Sequence, residues 1–191
     1  MTWVASEGVV YKDFNKDVHY IKDLNNIDII KYFAGVDFGW EHYGSIVVIG
    51  KDLNDNYYLI KEYAYQHKDI EEWIDIAKEI KAKYGNINFY CDYARPDYID
   101  KLKRSGIRAI NANKEVLEGI SMIAKLFKTD KLFILEDNVS RFKDEIYNYV
   151  WQKGKDDPVK QFDDTLDSLR YAIYSESKRT GKMFDRSKYN V

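Results

Sequence analysis

Three aspartates stand where their carboxylates could meet in the folded chain. Asp37 ends the largely apolar segment 31–36, Asp92 ends the apolar segment 88–91, and Asp167 lies in the stretch DDTLDSLRY. An ionised aspartate at the end of an apolar strand costs free energy to desolvate unless it is paired, hydrogen-bonded or bound to a metal. If the two strands are parallel neighbours and a helix crosses their edge, the three side chains form a compact anionic cluster.

The chemistry expected of such a cluster is metal binding. Clustered carboxylates repel one another, and this repulsion raises their pKa values. Divalent cations remove the repulsion, and hard oxygen ligands suit Mg²⁺ or Mn²⁺. Two such ions about 3.5–4 Å apart form a phosphoryl-transfer site, in which one activates water and the other stabilises the leaving oxygen. In this hypothesis Asp37 lies between Asp92 and Asp167 and is the bridging ligand.

The same acids also have ordinary structural interpretations. An aspartate at a strand end commonly serves as a turn or helix cap. Asp163 or Asp164 is a candidate N-cap for the last helix, and Asp167 can pair with Arg170 across one helical turn. Spacing alone therefore leaves the metal site and these structural roles open.

The hydrophobic pattern predicts the elements that would position these acids. Three consecutive strands joined by short turns occupy residues 32–65, which favours an antiparallel meander. Further strands then alternate with helical patterns, and helices are expected at 69–84, 95–106, 114–127, 140–152 and 163–178. This order predicts an α/β domain with a mixed sheet flanked by helices, as in a ribonuclease-H-like fold.

Composition limits the classes of protein to which the chain can belong. Its 191 residues are 45% hydrophobic and 32% charged, which is typical of a globular domain. We expect an arm or linker at 1–31, the domain at 32–178 and a polar tail at 179–191. The net charge of −2 gives no overall attraction to nucleic acid, so DNA contact would need a local basic patch or bound cations.

Two further features of the composition bear on location. One cysteine excludes an internal disulfide and fits a reducing cytoplasm. No run of about 18 apolar residues is present, so no membrane span is indicated.

Several motifs carry a resemblance to a known family. The stretches AGVDFG, YCDYARPDYIDKLKRSGI, NKEVLEGISMI and DDTLDSLRYAIY occur in the order seen in the C-terminal nuclease domain of the large terminase subunit of tailed bacteriophages. The early stretch WVASEGVVYKDF resembles the segment that leaves the ATPase domain of those proteins, so the resemblance covers most of residues 3–175. No G-x-x-x-x-G-K-[ST] phosphate loop is present, and we expect the chain to be the nuclease half of a longer protein.

The resemblance implies a fold, an activity and a set of partners. The fold is ribonuclease-H-like, and the activity is endonucleolytic cutting of concatemeric double-stranded viral DNA with two Mg²⁺ or Mn²⁺ ions. The implied partners are double-stranded DNA, the upstream ATPase domain, the small terminase subunit and the portal of the procapsid. The implied location is the cytoplasm of the host cell, and the isolated domain is expected to be a monomer.

The resemblance also assigns roles to individual residues. Asp37, Asp92 and Asp167 match the metal-binding acids of the family and are the expected catalytic residues. Asp164 stands where many members have His, so its role as a metal ligand or as a neighbour of the ligands stays open. Two basic residues are candidate DNA contacts: Lys114 matches a Lys before the family's "GI" helix, and Arg95 stands where members often carry an acid and has no expected catalytic task.

Two other functions remain open from the sequence. One is a different ribonuclease-H-like nuclease, such as a resolvase or a transposase-like enzyme, which would prefer branched DNA junctions to linear duplex. The other is a non-catalytic module that guides or docks DNA in the packaging motor. The presence of all three acids argues against such a module, because without a bound metal their mutual repulsion would only destabilise the fold.

Overall fold

A computed structural model describes residues 8–186 as seven strands and six helices. The strands are β1 Tyr20–Ile21, β2 Lys31–Asp37, β3 Gly44–Lys51, β4 Tyr57–Tyr65, β5 Asn88–Cys91, β6 Arg108–Asn111 and β7 Leu132–Leu135. The helices are α1 Lys16–His19, α2 Ile70–Tyr84, α3 Pro96–Arg104, α4 Val116–Lys128, α5 Arg141–Glu145 and α6 Asp164–Arg186. All seven strands belong to one sheet in the order β1-β7-β4-β3-β2-β5-β6.

The sheet has the predicted mixture of strand directions. Strands β2, β3 and β4 form an antiparallel meander, because the connections between them are too short for a crossover. Strand β5 then pairs in parallel with β2, and β6 pairs in parallel with β5. On the other side, β7 joins β4 in parallel and β1 joins β7 in parallel. The mixed α/β sheet flanked by helices is therefore confirmed.

Alternating side chains place a hydrophobic core on each face of the sheet. In β2, Phe33 belongs to the core beneath α4 and α6, whereas Ala34 and Val36 belong to the core beneath α2 and α3. Helix α2 begins at a capping box formed by Asp69 and Glu72. The Asp69 carboxylate accepts from the Glu72 amide, and the Glu72 side chain accepts from the Asp69 amide. Both faces of the central strands are thus covered, and only the strand ends remain open for a site.

The segment before β2 is more integrated than a linker. Val10, Tyr11 and Phe14 are buried in the core beneath α4 and α6, and Val9 forms an antiparallel bridge with Val150. Strand β1 extends the sheet beyond β7. The sequence pattern contained no sign of this because a short segment that fills a gap in a core needs no regular period. Residues 1–7 of the expected arm lie outside the described residues.

Two helix boundaries also differ from the prediction. The helix expected at 140–152 ends at Glu145, and the chain turns so that Val150 can bridge to Val9. Helix α6 continues through the beginning of the expected polar tail to Arg186, and residues 187–191 of that tail lie outside the described residues. The domain limits at 32 and 178 remain predictions. Among residues 8–186, no helix is both long and apolar enough to cross a lipid bilayer.

Candidate functional site

The parallel pairing of β2 and β5 brings the first two acids to one edge of the sheet. Val36 lies opposite Cys91 in the register, and the Asp92 amide donates to the Val36 carbonyl at 2.9 Å. Asp37 and Asp92 are therefore the next residues on neighbouring strands, as predicted from the strand ends. Neither side chain is fully buried, since both face the open edge.

Helix α6 adds the remaining acids because it lies directly on β2 and β3. A Cβ atom on Gly35 would overlap the backbone carbonyl oxygen of Ser168, so only glycine permits this approach. The Ser45 hydroxyl, opposite Asp37 in the register, donates to the Asp164 carbonyl at 2.9 Å. These contacts set the first turns of α6 against the end of β2.

The acids share one cleft of about 820 Å³ at this edge. Its wall includes five aspartates, which are Asp37, Asp92, Asp163, Asp164 and Asp167. Four basic residues lie on the same wall, namely Lys114, Arg141, Lys160 and Arg170. The cleft is thus a mixed surface in which acids are partly compensated by cations.

Asp37 lies at the electrostatic centre of this cleft. Burial raises the pKa of its carboxyl well above the ordinary value, and the charges of Asp167, Asp92, Asp164 and Asp163 raise it further. Burial together with Asp167 and Asp164 likewise raises the pKa of Asp163 to about 6. Ionisation of either carboxyl therefore creates a charge that the neighbouring acids oppose.

Three of the acids are paired with cations. Arg170, only 2% exposed, donates to Asp167 at 2.9 Å, and Gly119 leaves space for the stem of its side chain. The ammonium of Lys114 donates to Asp92. The remaining pair joins Arg141 Nη2 to Asp164 Oδ2 at 3.1 Å. The Asp167–Arg170 pair that the helical spacing suggested is thus present, whereas among the described side chains no Lys or Arg pairs with Asp37.

The carboxylates suit a hard divalent cation by their chemistry. Asp37 is repelled by four neighbouring acids, and a bound cation would relieve that repulsion. In the part of the chain that the structure describes, no three His, Cys, Asp or Glu side chains are gathered as a ready metal site. Because Asp92, Asp164 and Asp167 hold Lys or Arg, binding of a metal would require them to exchange those partners.

Helix α5 holds the acidic end of α6 in place. Glu62 accepts from the backbone amides of Ser140, Arg141 and Phe142, which anchors the start of α5 on β4. From α5, the buried carboxylate of Glu145 accepts from the amides of Thr165 and Leu166 at the start of α6. Glu145, rather than an acid of α6 itself, thus supplies acceptors for these amides.

Arg141 links this support to the cleft. Its Nε donates to Glu145 at 3.0 Å while Nη2 holds Asp164, so one guanidinium joins the supporting carboxylate to an acid of the wall. We infer that Glu145 and Arg141 position α6.

Glu145 gives the fold a predictable pH dependence. Burial raises the pKa of its carboxyl to about 8, although the Leu166 and Thr165 amides and Arg141 oppose this increase. Between the ordinary value near 4.5 and 8 the native state holds a proton that the unfolded state has released, so stability falls as the pH rises through this range. We expect the unfolding free energy of wild type to fall by up to about 1 kcal/mol per pH unit relative to Glu145→Gln.

Urea unfolding of both proteins at several pH values between 5 and 8 tests this expectation. Glu136→Gln is the control. Lys22 lowers the pKa of Glu136, so titration of Glu136 changes the stability only at pH values below this range. A constant difference between wild type and Glu145→Gln over this range would contradict the prediction.

The two basic residues proposed as DNA contacts are placed differently. Lys114 lies on the wall of the cleft beside Asp92, whereas Arg95 is not among the residues of that wall. Arg95 instead forms two hydrogen bonds with Asp97 and stacks 3.8 Å from the centre of the Tyr98 ring. Both DNA contacts stay predictions.

Sequence reasoning missed Arg141 and Glu145. Their spacing of four residues within a helical pattern is typical of an ion pair and was the available signal. It also treated Asp163 only as a helix cap, although Asp163 lies on the wall of the cleft.

Comparison with solved structures places this arrangement among phage terminases. The large terminase of a thermophilic bacteriophage, solved in complex with ATP-gamma-S, is 29% identical with a TM-score of 0.75. That match covers 90% of this chain and 47% of the phage protein, so this chain spans about half the length of that relative.

Two isolated nuclease domains share the fold over nearly their whole length. The nuclease domain of the P22 large terminase is 16% identical with a TM-score of 0.76, and the match covers 91% of this chain and 94% of that one. The g2p nuclease domain of bacteriophage SPP1, solved with bound Mn, is 22% identical with a TM-score of 0.68 over 83% of this chain and 97% of that one. At these identities the likeness shows the fold alone.

The match to a family model completes the comparison. A search of curated proteins found no match. Residues 34–176, which include the four motifs noted in the sequence, match the model of the terminase RNaseH-like domain. The ribonuclease-H-like fold is confirmed, and the chain belongs to the family of terminase RNaseH-like domains.

Proposed function

We propose that this domain is the metal-dependent endonuclease of a viral DNA-packaging terminase. It cuts concatemeric double-stranded DNA by hydrolysis with two metal ions. The observation that carries the proposal is that Asp37, Asp92, Asp163, Asp164 and Asp167 line one cleft at an open edge of the sheet. Burial and the charges of the other four acids raise the pKa of Asp37 there. Clustered carboxylates repel one another unless cations compensate them, and binding of a divalent cation is the use that fits the chemistry of this cluster.

Asp37, Asp92 and Asp167 would hold the ions, with Asp164 as a further ligand or a neighbour of the ligands. When bound, Mg²⁺ or Mn²⁺ would supply an activated water and a charge that stabilises the leaving oxygen. Burial and the charges of the neighbouring acids raise the pKa of Asp37 and so disfavour the ionised form that binds a cation, and metal affinity should therefore increase with pH. Arg170 orients the Asp167 carboxylate through its 2.9 Å hydrogen bond.

Lys114 has a role that follows from its present partner. Its ammonium is bound to Asp92, so it loses this partner once the Asp92 carboxylate binds a metal cation instead. Because Lys114 lies on the wall of the cleft, its ammonium would then be free to contact a DNA phosphate bound there. Lys114 would thus exchange the Asp92 carboxylate for a DNA phosphate as its anionic partner.

We expect Lys114→Met to weaken DNA binding more than metal binding. Loss of the ammonium should raise the KM for DNA and lower the salt-dependence slope of binding by about one. Calorimetric titration with Mn²⁺ should show unchanged or tighter binding, because the variant has no ammonium that competes for Asp92. Lys22→Met, which removes an exposed cation that is paired with Glu136 and does not line the cleft, is the matched control. Equal salt slopes for wild type and Lys114→Met would contradict this role.

The partners in the motor are proposed on the same basis. They are double-stranded DNA, an ATPase domain upstream in the parent protein, the small terminase subunit and the portal of the procapsid. The motor would work in the cytoplasm of the infected host cell. We expect the isolated domain to be a monomer. With a net charge of −2 it should hold DNA weakly, since its attraction to phosphate is local.

Nicking of supercoiled plasmid by the purified chain tests the proposal. Cleavage should require Mn²⁺ or Mg²⁺ and stop with a chelator, and calorimetry should detect Mn²⁺ binding. Linear duplex and a four-way junction of the same sequence should be cut at similar rates. Strong preference for the junction would instead indicate a resolvase-like enzyme.

One observation favours a second candidate, a non-catalytic module that guides DNA. Asp92, Asp164 and Asp167 are each neutralised by a Lys or Arg. A module of this kind would keep these pairs permanently. Absence of Mn²⁺ binding at millimolar concentration, together with absence of nicking, would favour it over the nuclease.

A further inference from the structure

Two aromatic rings on the wall of the cleft are exposed to solvent. Trp40 is 52% exposed and Phe162 is 38% exposed, and both line the cleft that contains the five aspartates. They come from different loops, one directly after β2 and the other directly before α6. Metal binding by carboxylates does not require either ring.

Phe162 adopts a backbone conformation that is unfavourable for its residue type. Its φ of 55° lies in the left-handed region, which glycine and asparagine adopt readily and in which a bulky side chain is an outlier. Backbone strain of this kind is concentrated at functional sites. The conformation carries the ring to the rim of the cleft.

Both rings are held by neighbours while part of their surface stays free. The Trp40 ring packs edge-on against His67 with centroids 5.5 Å apart, and the His67 amide donates to the Trp40 carbonyl at 3.1 Å. The guanidinium of Arg141 lies 5.5 Å from the centre of the Phe162 ring and 4.4 Å from that of Tyr43. Rings ordered in advance lose little entropy when a flat ligand stacks on them.

We propose that Trp40 and Phe162 form a stacking subsite for unpaired nucleobases beside the scissile phosphodiester. The subsite would favour those positions of the double-stranded substrate at which bases are locally unpaired. This inference rests on the proposed nuclease function, because the acidic cleft fixes where the phosphate lies. Nucleobases are the occupants that suit these rings, since each presents an aromatic face next to a phosphate that the cations of the cleft can contact.

Duplex DNA cannot use such a subsite without rearrangement. The faces of paired bases are covered by their neighbours in the stack, so a ring gains contact only when a base leaves the helix. A strand that is already unpaired has no such cost. Loss of one base–aromatic contact weakens binding of a single strand by about tenfold.

The experiment measures binding of the full chain to a short single strand that carries 2-aminopurine, and to its intact duplex, in Ca²⁺. The variants are Trp40→Leu and Phe162→Leu, with Phe162→Tyr as the conservative change that keeps a ring. Tyr147→Leu is the control, because Tyr147 is 37% exposed but does not line the cleft. Unfolding midpoints confirm that each variant is folded.

The expected result is about tenfold weaker binding of the single strand by each leucine variant, with a much smaller effect on the duplex. Wild type should quench 2-aminopurine, whereas Phe162→Tyr should bind as wild type does. Equal affinities of wild type and the leucine variants for the single strand would overturn the subsite and leave protein docking as the use of the rings. Plasmid nicking by the same preparations is a separate readout, so a chain that cleaves without ring dependence refutes only the subsite.

Discussion

Replacing Asp37 by Asn should reduce Mn²⁺-dependent plasmid nicking by more than about a hundredfold. Mutation of residues that only support metal ligands lowers activity or metal affinity roughly 10- to 100-fold, and loss of a residue that we propose as a ligand itself should lower activity more. The amide keeps the shape of the side chain but supplies no negative charge. The measurement is the initial rate of nicking at saturating DNA for wild type and Asp37→Asn.

The same substitution should stabilise the protein in the absence of metal. Burial and four acids oppose ionisation of Asp37, which is why its pKa is raised, and asparagine, which does not ionise, avoids this cost. We expect the unfolding free energy in a chelating buffer to increase by about 1 kcal/mol. The rise in unfolding midpoint that Mn²⁺ causes in wild type should be absent from the variant.

Asp97→Asn is the matched control for Asp37→Asn. It makes the same chemical change at an exposed carboxylate that pairs with Arg95 outside the cleft. It should leave both nicking and Mn²⁺ stabilisation unchanged. An Asp37→Asn protein that nicks plasmid as fast as wild type would refute the nuclease proposal.

Replacing Gly35 by Ala should destabilise the fold strongly. A Cβ atom there would overlap the carbonyl oxygen of Ser168 and lie 3.0 Å from the Ala172 Cβ atom. The obstacle is helix backbone, which cannot rotate away as a side chain can. We expect urea unfolding to show a loss of about 3 kcal/mol in the unfolding free energy.

The variant should also bind Mn²⁺ more weakly if it still folds. Helix α6 can accommodate the methyl group only by moving away from β2, and this movement carries Asp167 away from Asp37. Gly181→Ala is the control, because a Cβ atom at that position of α6 meets nothing within 4 Å. That change should be neutral or stabilising by up to about 1 kcal/mol. Equal stability of Gly35→Ala and wild type would show that the contact between β2 and α6 is not required.

Much of the fold was predictable because its elements carry strong local signals. The meander follows from short turns between strands, and helix α2 follows from its apolar spacing and the Asp69 cap. The neighbouring positions of Asp37 and Asp92 follow from the rule that the ends of parallel strands meet at one edge. Their role as metal ligands stays a prediction.

Other parts depend on contacts between distant residues and left no local signal. Val10 and Phe14 lack a regular pattern because each fills a gap among helices and strands that come later in the chain. The end of α5 at Glu145 depends on the bridge from Val150 to Val9. A prediction from neighbouring residues cannot include such partners.

Local patterns in the sequence predict that Asp37 and Asp92 stand at strand ends, because they mark where each strand finishes. The order of the strands and the contacts of the carboxylates depend on the folded arrangement. Lys114 and Arg141 approach the acids from other elements, and Glu145 supports α6 from α5. Charge compensation depends on the distances between charged groups in space. For residues that are far apart in the sequence, those distances are set only when the chain folds.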